Sequence, residues 1–194
     1  MNHLEAINAG IAAKTPYAEI VRKVFLTYPT KAFVGSEDQQ YAILNEISDH
    51  FDVPINSVQI TGSAKLGWSL HKKADFRPGE SDLDVAIIDS RLFVKHMEMV
   101  LRKSKGYPDR SAFPLRDRQS TQEEYIRYLA KGIFRPDLMP TGPERAIWQD
   151  FFGRLSRVHA NLFRSISAAI YISQACFEAK QRSAIRNHAE NGPL

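Results

Sequence analysis

The run Leu83-Asp84-Val85-Ala86-Ile87-Ile88 admits few placements. It is too short for a buried helix, and its apolar end suits a strand buried inside a sheet. Two acids open it. Asp82 and Asp84 alternate along the strand, so both project to one face. Like charges roughly 6–7 Å apart on one face are costly unless a cation sits between them. Hard carboxylate oxygens favour Mg²⁺ or a similar ion, which also binds substrate phosphates.

Helical patterning surrounds this strand. Residues 16–28 place Ile20, Val21, Val24, Phe25 and Tyr28 at helical spacing. Ser36, followed by Glu37 and Asp38, reads as the cap and charged first turn of a helix carrying Tyr41, Leu44, Ile47 and Phe51. Pro54 and Asn56 end it, and Ser57–Thr61 is a short β-branched strand closing on Gly62. Residues 71–80 form a polar loop with a Pro-Gly pair. Ser90 caps a helix to about Lys105, and residues 106–118 are irregular. Ser120 with Glu123 resembles a capping box opening a helix through Lys131. Gly132, Pro136, Pro140 and Gly142 mark a loop, before a helix carrying Ile147, Trp148, Phe151, Phe152, Leu155 and Val158. A third strand falls at Ile166–Ile172 and a last helix at Gln174–His188; the final five residues should fray. The fold class expected is α+β, a small mixed sheet surrounded by helices, in one domain over 1–194.

Composition narrows the function. The 194 residues are 43% hydrophobic and 25% charged, which excludes disorder as the main state. No apolar run approaches the ~20 residues of a membrane helix. The N-terminus lacks a basic region followed by an apolar one, so a cytoplasmic protein is expected, without secretion. Cys176 is the sole cysteine and the six histidines lack ligand spacing, so a thiol or imidazole metal site is not expected. Cys176 reads as a buried thiol and His96 as a core histidine, with Trp148, Phe151 and Phe152 as core. The net charge of +4 is mild, but residues 91–118 hold eight basic and three acidic side chains, which favours a phosphate-bearing partner.

The stretch Thr61-Gly62-Ser63-Ala64-Lys65-Leu66-Gly67 can present backbone N–H groups and a hydroxyl to an anion, with glycine permitting close approach. Lys65 stands within reach of a phosphate, and Lys72, Lys73 and Arg77 form either a basic lid or a solvated loop. This Gly-Ser turn, with the later Asp-x-Asp on a strand, resembles the nucleotidyltransferase superfamily that includes DNA polymerase β, poly(A) polymerases and bacterial oligonucleotide-signal synthases. The match covers residues 58–88. The resemblance implies that Gly62 and Ser63 hold the triphosphate of a nucleoside triphosphate. It implies that Asp82 and Asp84 are catalytic and hold Mg²⁺ or Mn²⁺. It also implies transfer of a nucleoside monophosphate to an acceptor, nucleic acid or protein among them, with release of pyrophosphate. At this size an oligomer or a partner protein would help bind the acceptor. The family places a third carboxylate on a later strand. The run Arg164–Ile172 has none, with serines where an acid would stand. Asp137, between Pro136 and Pro140, is the alternative candidate; as a plain residue it is a turn-stabilising aspartate. A site without the third acid would make the chain a degenerate nucleotide-binding or protein-interaction module.

Overall fold

A computed structural model describes residues 2–191. Its centre is a four-stranded mixed sheet: β1 (Val58–Thr61), β4 (Leu83–Ile88), β8 (Ile166–Tyr171) and β7 (Ile133–Phe134), in that spatial order. β1 runs antiparallel to β4, β4 parallel to β8, and β8 antiparallel to β7. The α+β expectation holds at this level. β4 is central, as its apolar run requires.

Side-chain alternation divides the sheet into two faces. Leu83, Val85 and Ile87, with Ile166, Ala168 and Ile170, pack against α3 (Glu37–Phe51), α5 (Ser90–Lys103) and α7 (Pro143–Val158). Trp148, Phe151 and Phe152 belong to this core, as their spacing predicts. Ala86, Ile133 and Tyr171 face α1 (His3–Ala12), α2 (Tyr17–Val21, continuing as a π-helical turn over Arg22–Thr27) and α8 (Gln174–Glu190). Asp84, second in β4, lies on this second face, and Asp82 directly precedes the strand. None of the described helices is long and apolar enough to cross a membrane.

Several local expectations need correction. α1, capped by the Asn2 carboxamide accepting from the Leu4 N–H at 3.1 Å, was not anticipated. The cap of α5 is Asp89, which accepts from the Leu92 N–H at 2.7 Å, and not Ser90. No capping box forms at Ser120; α6 (Gln122–Leu129) starts after Thr121, and the Ser120 hydroxyl donates to the Arg110 carbonyl. Ser36 precedes α3 without a side-chain cap bond. Two tiny hairpins, β2 (Trp68–Ser69) with β3 (Ala74–Asp75) and β5 (Leu115–Arg116) with β6 (Gln119–Ser120), have one strand each inside the segments 71–80 and 106–118 expected as loop. Of the five residues expected to fray, Glu190 ends α8 and Asn191 caps it, and 192–194 lie outside the described residues. His96 and Cys176, both expected in the core, are half-buried; His96 is bonded through Nδ1 to the Leu92 carbonyl and tilted against Phe134.

Candidate functional site

β1 ends where the chain must turn sharply. Thr61 is in register with Asp84 across the sheet, and Gly62 follows with φ of +65°, opening the short α4 (Gly62–Leu66). A left-handed φ is unstrained only for glycine. There is a second reason for glycine: a Cβ at this position would lie 2.5 Å from Asp84 Oδ2. The turn and the carboxylate are therefore in direct apposition. Gly62, Ser63, Asp82 and Asp84 together line one cavity of about 500 Å³, roofed by the β2–β3 hairpin and the loop after it, including Lys72 and Arg77.

The two acids differ in their surroundings. Asp82 is claimed by the strand beside it. Arg164 donates to it through Nε at 3.0 Å and Nη2 at 2.6 Å, and the Ser165 hydroxyl adds a bond of 2.7 Å. Burial pushes the Asp82 carboxyl up, but these bonds, with the charges of Arg164 and Lys72, leave it below its ordinary value. Asp84 makes no such side-chain pair. Its side chain is exposed to solvent through the cavity. Burial first, and then the neighbouring Asp82 charge, raise its carboxyl, with Arg135 and Lys72 opposing.

Asp84 thus has no side-chain ion pair of its own, only the more distant charges of Arg135 and Lys72, while Asp82 is directly countered by a guanidinium. Directly beside Asp84 on β8 stands Ser167, the position where a third acid was sought. Asp137 is held elsewhere: Arg135 binds it with both ends, at 2.7 and 2.8 Å, and Arg116 approaches to 3.8 Å. Among the described residues no group of three His, Cys, Asp or Glu side chains could hold a metal ion. Asp137 is therefore not gathered with Asp82 and Asp84, although it shares a cavity with Asp84. Two carboxylates, one of them already bonded by Arg164 and Ser165, could offer a hard cation only part of its shell, the remaining positions falling to water or substrate oxygens. It does not fit an all-protein cage.

Lys65 also departs from expectation. It is 5% exposed and donates to the Tyr28 carbonyl at 2.6 Å. It lines a separate small cavity beside Tyr28 and Leu44, away from Gly62 and the aspartates. Two residues along a helix is a turn of about 200°, so Lys65 leaves on the side opposite Ser63. The lysine at the acids is Lys72, whose charge acts on both of them. Arg164, Ser165 and Ser167 went unread as site residues because only the parallel register of β8 on β4, Leu83 against Ile166, brings them there.

A second cavity of about 700 Å³ opens on the other side of Gly62 and Asp84, between α7, α8 and β8. The two cavities share Gly62, Asp84 and Gln181. Compared with models of known protein families, with curated proteins and with solved structures, the chain matches none.

Proposed function

We propose that this chain is a nucleotidyltransferase-like protein that binds a nucleoside triphosphate in the 500 Å³ cavity and transfers its nucleoside monophosphate to an acceptor hydroxyl. The observation that carries the reading is the convergence of Gly62, Ser63, Asp82 and Asp84 on that cavity, with Gly62 bare against the Asp84 carboxylate. Gly62 lets phosphate oxygens approach the main chain, Ser63 offers a hydroxyl, and Lys72 and Arg77 supply positive charge from the loop above. Mg²⁺ or Mn²⁺ held by Asp82 and Asp84 would neutralise phosphate charge as pyrophosphate leaves. The acceptor oxygen forms a bond to the α-phosphorus, the bond from that phosphorus to the bridging oxygen breaks, and the hydroxyl proton passes to Asp84 Oδ2.

A second reading is favoured by Ser167 beside Asp84 and by the capture of Asp137 by Arg135. In it the site binds nucleotide without transfer, as a sensor or interaction module. The separating experiment is incubation with each labelled nucleoside triphosphate, Mg²⁺ or Mn²⁺, and acceptors of each class. Pyrophosphate release that disappears in Asp82→Ala supports transfer. Nucleotide binding without release from any of them supports the second reading, and no binding at all refutes both.

A further inference from the structure

Buried polar side chains are hydrogen-bonded as a rule, and each exception calls for a reason. Gln181 on α8 is 7% exposed and Tyr171 at the end of β8 is 6% exposed. Among the described residues neither the Gln181 carboxamide nor the Tyr171 hydroxyl has a protein hydrogen-bond partner. Neither is among the sealed, unpartnered polar atoms of the core. Both line the 700 Å³ cavity, and neither polar end is sealed from water. Tyr171 lies near Asp84, Arg135 and Tyr128, whose charges act on its hydroxyl. Gln181 stands where the two cavities meet.

The rest of the cavity limits what these groups would receive. Arg135 lies over the Tyr128 ring, its guanidinium carbon 4.9 Å from the centroid, and its far edge is fixed on Asp137. That makes a planar platform whose charge is already matched, suited to stacking a flat, uncharged ring. The β8 face contributes Ser167 and Ala169, small residues that leave depth. A volume near 700 Å³ is that of a small-molecule site.

We propose that this cavity is a second ligand site, for a small hydroxyl-bearing molecule with a planar ring, of the nucleoside kind, oriented by Tyr171 and Gln181 with a hydroxyl toward Asp84. Its role as the acceptor rests on the transfer reading above; the binding itself rests on the cavity alone.

Adenosine is the probe, titrated calorimetrically into the full chain without metal or triphosphate. Saturable binding is expected, stronger than for adenine or ribose separately, and retained when the first cavity is filled with a non-hydrolysable ATP analogue and Mg²⁺. Tyr171→Phe and Gln181→Met, each checked for an unchanged melting curve, should weaken adenosine binding by about two- to tenfold, the loss of one neutral hydrogen bond. Asp82→Ala should leave adenosine binding intact. Absence of saturable binding, loss of it on filling the first cavity, or wild-type affinity in both variants overturns the proposal. If adenosine binds as expected but no Mg²⁺–nucleotide binding is found, the second site stands and the transfer reading fails. If Mg²⁺–ATP binds through Asp82 and adenosine does not bind, the reverse holds.

Discussion

Gly62→Ala separates two effects that meet at one atom. The first is conformational: at φ of +65° a Cβ meets the following carbonyl, a strain of about 1–2 kcal/mol. The second is local: the new methyl would stand 2.5 Å from Asp84 Oδ2, so the carboxylate must rotate. Forcing a short side chain off its rotamer adds about 0.5–1.5 kcal/mol. Gly35 is the control. It also has a left-handed φ, +84°, but a Cβ there meets nothing within 4 Å. Gly35→Ala therefore carries the backbone strain alone, and the excess loss in Gly62→Ala measures the carboxylate. In a chain of this size, that excess corresponds to about 1–6 °C in Tm. Repeating Gly62→Ala in an Asp84→Ala background should abolish the excess, because the group to be displaced is gone. Thermal melts of the variants, with calorimetric titration of Mg²⁺–ATP, provide the assay. Nucleotide binding should be lost in Gly62→Ala and kept in Gly35→Ala. Equal melting losses at both glycines, together with unimpaired nucleotide binding in Gly62→Ala, would refute the apposition of turn and carboxylate.

The two aspartates should respond to neutralisation with opposite signs. The Asp84 carboxyl is raised, so between its ordinary value and the raised one the folded chain binds more protons and stability falls as pH rises; Asp84→Asn should raise Tm at pH 7, with the gain vanishing in acid. The net lowering at Asp82 contributes stability above the ordinary carboxylate range, lost as pH falls, so Asp82→Asn should lower Tm at pH 7, by an amount in line with about 0–1 kcal/mol for a partly exposed pair. Arg164→Ala should tighten Mn²⁺ binding several-fold in the absence of nucleotide, followed by the electron paramagnetic signal of free Mn²⁺, because the metal no longer competes with a guanidinium for Asp82; unchanged or weaker binding contradicts that competition. Burial lowers the Lys65 ammonium to about 8 from an ordinary 10.5, so the unfolded chain binds more protons across that interval and stability should rise with pH from 8 to 10.5; in Lys65→Met the rise should be absent from the Tm profile.

How far the sequence could be read depended on the length over which each signal acts. β4 and β1 are legible because burial imposes an unbroken apolar or β-branched run. The short strand β7 is two residues between Gly132 and Pro136, too brief for alternation to register, and so it reads as loop. The cap of α5 is displaced by one residue because Asp89 and Ser90 are both good caps, and only the bond to Leu92 chooses between them. At the site, Gly62 and Ser63 with Asp82 and Asp84 are legible through the resemblance, and the antiparallel pairing of β1 with β4 brings the end of one strand to the start of the other. Arg164 and Ser165 are not. They reach Asp82 across more than eighty positions, through a register that no local pattern encodes.

That register also gives the two acids different tasks. Asp82 brings its own counter-charge from Arg164 and its own hydroxyl from Ser165, so it is stable in the protein as it stands. Asp84 faces Ser167, which offers a hydroxyl and no charge, and Gly62, which offers space. A crowded, repelled carboxylate with a bare turn against it and solvent access from the cavity is a feature of sites that something outside the chain completes. The cavities meeting at Asp84 lie on opposite sides of the same turn. One is roofed by Lys72 and Arg77, the other walled by Arg135 matched on Asp137, by Lys180 and by the side chains of Tyr171 and Gln181. Two cavities that meet at one carboxylate are the arrangement expected of a site that brings a donor and an acceptor hydroxyl to the same group.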